Sequence, residues 1–339
     1  MNHRSYADLI RPKVSNIVFC LLLVVLIWSG WFETSFKVMP PESLILGYSP
    51  LTFLLNQSFE VTSLPALIIS AALIITVGGT LFWMNEQFSF IPVRTLLPTF
   101  FFVIIVSLLM RPHTLNIGAI LAFIFALRLF SSFKLCEEMS SNVARTKFNM
   151  GLLLGLSSLL ALSTLAYIVP LIFFSFQTQT LSIKGMLALF LGFLVPPFYL
   201  LLALAATDNL FLVEIYLNSW WLGDNTLLEF TSEPFLIYLG IITLLALISL
   251  VKVYFLSEHQ SIKTRQETKY ICSNFVITLL LVLLRPSDVG LLLPIYIFFS
   301  SILIGQSFSS DFNLPTKIMW GIFGIASILY LFFPTYDFI

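Results

Sequence analysis

The residues in this chain best suited to chemistry are two carboxylates and a small set of cations. Glu33 and Glu42 lie in the polar stretch that follows the first apolar run, with Glu60 farther along it. A carboxylate held at a membrane surface, with its pKa tuned by partial burial, can act as general base on an acceptor hydroxyl. Arg111 with His113, and Arg285 with Asp288, each mark a short link between two apolar runs. A guanidinium there matches the oxygens of a lipid phosphate or an anionic headgroup. The same residues also read as ordinary loop acids and as cations parked among headgroups, so position must decide. No HExxH, Walker A, GxGxxG or GxSxG pattern is present, and His3, His113 and His259 are too scattered for a metal cluster. Neither a metal nor a cofactor is therefore expected. Cys20, Cys136 and Cys272 have no paired spacing and read as packing residues. Arg128 is the one charge well inside an apolar run, about four residues from its inner end, within reach of snorkelling. Gly151 and Gly155 form a GxxxG notch suited to close helix approach.

The elements that must position these residues are membrane helices. Of 339 residues, 58% are hydrophobic and only 10% charged, against about 25% charged in soluble domains. That deficit excludes a soluble enzyme, a disordered chain and a nucleic-acid binder. A helix needs roughly 20 apolar residues to cross the hydrocarbon. Runs of that kind fall at about 14–32, 64–84, 95–110, 115–133, 185–206, 234–252, 271–284, 289–307 and 318–333. The basic N-terminus and long first run read as a retained membrane helix, not a cleaved signal.

The stretch 148–176 has no charge and is too long for one ordinary span. It is either one kinked helix or a hairpin of two short ones. Cytoplasmic loops carry the excess of Lys and Arg. A hairpin places thirteen basic residues inside against three outside, whereas a single span gives eight on each side. The hairpin is preferred. The expected fold is an all-α polytopic bundle of about eleven helical segments filling residues 1–339 as a single integral membrane domain. Its N-terminus is cytoplasmic and its C-terminus outside. Ten of the seventeen acids then lie outside, giving an outer face near −7 and an inner face near +6.

Two outer segments, about 33–63 and 207–233, mix aromatics with acids and read as short interfacial helices, with Tyr216, Trp220 and Trp221 at headgroup level. The inner stretch 253–270 reads as a solvated turn or short helix. Leu108-Leu109-Met110-Arg111-Pro112 and Leu283-Leu284-Arg285-Pro286 echo each other, through either duplication or shared turn chemistry, with Pro opening the next helix.

Residues 115–207 carry Arg128-Leu129, then Gly151 to Leu159, then Leu191-Gly192-Phe193-Leu194 with Pro196, and farther on the chain reads LLRPSDVGLLLPIYIFFSSIL at 283–303. This pattern resembles a family of uncharacterised polytopic membrane proteins found in Bacteroidetes. More distantly, the same middle section is similar to the glycosyltransferase C superfamily, in which a glycine-rich helix is followed by a short returning one. That resemblance implies sugar transfer from a polyprenyl-phosphate donor, with an acid after the first helix as catalytic base. Only Glu33 and Glu42 stand where that acid would be.

Three functional expectations follow. The first is a non-enzymatic component of a bacterial envelope assembly in the inner membrane, presenting its acidic, aromatic outer layer to a protein partner or to the lipid bilayer. The second is a glycosyltransferase-C-like enzyme or degenerate relative. It would use Glu33 or Glu42 as base and Arg111, His113 or Arg285 to hold a polyprenyl-phosphate lipid. The third is a secondary transporter, disfavoured because such proteins carry polar or broken helices at mid-membrane.

Overall fold

The computed structural model describes residues 64–91, 95–109, 117–137, 142–214, 233–285, 288–310 and 314–332. Among these there are helices and no strand. They are α1 (Leu64–Phe88), α2 (Leu97–Leu109), α3 (Ile117–Glu137), α4 (Val143–Leu160), a 3-10 segment (Leu162–Tyr167), α5 (Ile168–Gln177), α6 (Ile183–Ala206), α7 (Glu233–Ser257), α8 (Ile262–Leu284), α9 (Val289–Ser310) and α10 (Leu314–Phe332). Seven of them, α1, α3 and α6 to α10, are long and apolar enough to cross a membrane. The described residues are all-helical, and the protein is a multi-pass membrane protein. The first apolar run and the outer segment 33–63 lie outside the described residues, as does most of the second outer segment.

The core is built around α9. It packs on α2, α3, α7 and α8, and nearly its whole spanning window is buried. Helix α6 is the opposite case. It leans mainly on α4 and turns Leu187, Phe190, Leu194 and Phe198 outward as lipid-facing surface.

Close approach of α4 and α6 requires glycine. A Cβ on Gly151 would run into the Leu189 carbonyl, one on Gly155 into the Phe193 carbonyl, and one on Gly192 into the Phe148 carbonyl. The notch at Gly151 and Gly155 is thus a packing device, with no room for a ligand. Gly151 meets Leu189 and Gly155 meets Phe193, so α4 and α6 run in the same direction.

The apolar stretch after Val143 is interrupted. Ala161 is extended, with φ −146° and ψ 116°. Hydroxyls beside it satisfy nearby carbonyls: Ser157 donates to Leu154, Ser158 to Gly155 and Thr164 to Ala161. Such local bonds offer the backbone an alternative to a continuous helix. Helix α5 restarts with Pro170 in its first turn, where a missing N–H costs little. From Tyr167 to Gln177 the chain descends antiparallel to α8. Tyr167 bonds to Thr278, Phe174 stacks on Tyr270, and Gln266 donates to the Gln177 carbonyl.

The stretch 253–270, expected as a solvated turn or short helix, is mostly helix. Helix α7 continues to Ser257, and α8 begins at Ile262 after only a short link. Ser261 caps α8, its Oγ accepting from the Thr264 N–H. Three of the polar residues that follow are turned inward: Glu267, Thr268 and Tyr270 are buried.

Candidate functional site

Of the residues singled out in the sequence, Glu33, Glu42, Arg111 and His113 lie outside the described residues. Arg285 is described. It caps the C-terminus of α8, donating its N–H to the Leu281 carbonyl. Its Nε stands 3.9 Å from Asp288 Oδ2, both side chains being half-buried. This ion pair spans the link between α8 and α9 and draws the guanidinium toward a carboxylate of its own chain.

The described residue that departs most from expectation is Arg128. It does not snorkel. Helix α3 runs on to Glu137, so Arg128 sits more than two turns from its end. The residue is 2% exposed. Its Nη2 donates to Asn274 Oδ1 at 2.6 Å, more than three turns into α8. The guanidinium carbon lies 4.2 Å from the Phe125 ring centre and 4.9 Å from that of Tyr167. Rings at that distance attract a cation, most strongly where water is excluded. Nη1, also buried, has no hydrogen-bond partner.

Each neighbour of Arg128 is held in turn. Asn274 Nδ2 donates to the Tyr270 carbonyl, which fixes Oδ1 toward the guanidinium. Tyr167 is joined to Thr278 by a 2.6 Å hydroxyl pair, and Thr278 also donates to the Asn274 carbonyl. Ser132 donates to the Arg128 carbonyl. The node therefore draws together α3, the 3-10 segment and α8, in a region sealed from solvent.

Helix α8 brings a whole stripe to this seam. Glu267, Tyr270, Asn274 and Thr278 are spaced three, four and four apart, so they share one face, and all are buried. The spacing is visible in the sequence, but taking 253–270 as solvated, whether turn or short helix, hid its first members. Glu267 lies near the start of α8, with Lys263 Nζ 3.9 Å from its Oε1. A second polar cluster ties α7, α8, α9 and α10. Lys252 Nζ donates to the Ser307 carbonyl at 2.8 Å and to Thr316 Oγ1 at 3.3 Å, and Gln306 Nε2 donates to Thr268 Oγ1. Lys147, also buried, donates from Nζ to the Thr180 carbonyl.

The contacts also sort the charges by end. Phe88 stacks edge-on with Phe133, which brings the C-termini of α1 and α3 together. Lys147 at the start of α4 meets Thr180 and Gly185 at the start of α6. Lys252 near the end of α7 meets the end of α9 and the start of α10. Apart from Arg128 and Arg285, every described Lys and Arg belongs to this end or the turns next to it. Arg285, Asp288, Asp208 and Glu233 mark the other end. Among the described residues no group of His, Cys, Asp and Glu could hold a metal ion.

Comparisons with protein-family models, with curated proteins and with solved structures return no match to this chain.

Proposed function

We propose that this chain is a non-enzymatic component of a bacterial envelope assembly, a closed helical scaffold in the inner membrane. The observation that carries the reading is the filled interior. Helix α9 is buried along almost its whole spanning length, and Arg128 is engaged by Asn274 and two ring faces in a site sealed from solvent. Clustering of Lys and Arg at one end supports placing that end in the cytoplasm. The shared direction of α4 and α6, with α5 descending between them in sequence, supports a returning hairpin. The N-terminus is then inside, and the acidic outer layer is offered to a partner. Purification of the full chain in mild detergent, after crosslinking in intact cells, tests this. A stoichiometric envelope protein crosslinked through the outer segments supports it. A chain that transfers sugar or carries a solute in vesicles refutes it.

The second reading is a glycosyltransferase-C-like enzyme, favoured by the short returning α5 after a glycine-rich helix. In it Glu33 or Glu42 is the base, while Arg111, His113 and Arg285 hold a polyprenyl-phosphate donor. Sugar transfer from such a donor, lost in Glu33→Gln or Glu42→Gln, would establish it. Absence of transfer with a panel of polyprenyl-phosphate sugars would end it. For the transporter reading, the interior is less apolar than the runs implied, since Arg128, Lys147 and Glu267 are all buried.

A further inference from the structure

The guanidinium of Arg128 is engaged unevenly. The Phe125 and Tyr167 ring centres stand 4.2 and 4.9 Å from its central carbon and only 4.4 Å from each other, so both rings lie to the same side. Asn274 takes a proton of Nη2. Nη1 is enclosed just as fully, yet no acceptor meets it. A buried N–H without an acceptor costs free energy, and more so when it carries charge.

The formal charge is uncompensated as well. A guanidinium keeps its proton wherever it is placed, so burial cannot neutralise it as it neutralises an amine or a carboxyl. An amide and two ring faces engage it, and all three are neutral. Among the described residues no carboxylate pairs with it. Charged side chains inside spanning bundles are as a rule paired, and a lone buried ion is strongly unfavourable.

Depth and packing define what could supply the missing negative charge. Arg128 and Asn274 each stand roughly 14–18 Å from either end of their helices. Lipid phosphates lie beyond the hydrocarbon, about 15 Å from its centre, so a headgroup does not reach this depth. Phe125, Tyr167, Asn274 and Ser132 are all buried around the guanidinium. Interiors packed at that density leave little room for a polyatomic ion. One positive charge and one unengaged guanidinium edge match a single monovalent, monatomic anion.

We infer that Arg128 holds a structural halide, chloride under ordinary conditions, on its Nη1 side at the seam of α3, the 3-10 segment and α8. The ion would satisfy the orphaned donor and cancel the buried charge, leaving the closed bundle neutral at its centre.

The full chain in mild detergent tests this by unfolding in chloride, bromide or gluconate at one ionic strength. Chloride at ten times its dissociation constant should lower the unfolding constant of wild type about elevenfold, whereas gluconate, too large for the site, should not. Arg128→Met removes the cation, and Asn274→Asp supplies a carboxylate of the chain's own beside it. Both should unfold alike in the three salts. The response to halide is the readout rather than absolute stability, so the donation to the Tyr270 carbonyl that Asn274→Asp gives up does not enter. Bromide in crystals of wild type should give an anomalous peak beside Nη1. Wild type that unfolds alike in chloride and gluconate, a halide response that persists in Arg128→Met, or bromide found only at the helix ends overturns the proposal.

Discussion

If the Arg128 node holds the bundle together, its parts must be worth less separately than as a pair. Replacing Asn274 by Leu removes the acceptor 2.6 Å from Nη2 while the guanidinium stays buried. A hydrogen bond to a charged group contributes about 1.5–3 kcal/mol, whereas cross-helix bonds within bilayers average ~0.6 and reach ~1.7 kcal/mol. The short distance and the formal charge place this one near the top of the second range, so Asn274→Leu should cost about 2 kcal/mol. The stranded cation keeps its ring faces at 4.2 and 4.9 Å, which lets the variant fold.

Arg128→Met removes the charge and fills much of the same volume, but leaves Oδ1 of Asn274 unpaired, a loss of about 1–3 kcal/mol. The double variant leaves neither a stranded charge nor an orphan acceptor. Replacing a buried ionic contact by apolar residues is often neutral. The double variant should therefore cost no more than either single one. Steric-trap or denaturant unfolding in bicelles measures all three against wild type. Two single costs that add to within ~0.5 kcal/mol of the double would mean no coupling. That result would refute the assignment of Arg128 as a buried lock.

Gly192→Ala, whose Cβ would strike the Phe148 carbonyl, should force α4 and α6 apart and cost at least ~1–3 kcal/mol. Gly240→Ala, with open space around it, should not, and fluorescence-detected thermal size exclusion compares the two. Tyr167→Phe should lower stability by roughly 0.6–1.7 kcal/mol through loss of its 2.6 Å pair with Thr278, read in the same unfolding assay. Reporter fusions near Thr180 and after Ile339 should report cytoplasm and exterior respectively, and an exterior signal at Thr180 would remove the hairpin.

The spanning helices were legible because a run of apolar residues has one stable fate in lipid. Expected and observed limits agree within a few residues for 64–88, 97–109, 183–206 and 289–310. Limits failed where a helix leaves the apolar zone. Helix α3 runs past the apolar run at 115–133, through Lys134 to Glu137, and this extension turned Arg128 from a near-terminal residue into an interior one. The GxxxG notch was legible as packing, because two glycines one turn apart leave a groove that only another backbone fills.

What composition could not give is which polar residues face inward. Residues 261–270 read Ser-Ile-Lys-Thr-Arg-Gln-Glu-Thr-Lys-Tyr, a string that satisfies itself equally well in water or at the start of a helix. A solvated loop needs only its charges, whereas a buried stripe needs partners on other helices. Glu267, Tyr270, Asn274 and Thr278 become a stripe only because α3 brings Arg128 and the 3-10 segment brings Tyr167 to the same seam. Tyr167 and Arg128 are placed by the break at Ala161 and by the length of α3, neither of which a hydropathy count records. The polar seam is therefore a property of the assembled bundle, and the positions that tie it together are distributed over 150 residues of chain, from Arg128 to Thr278.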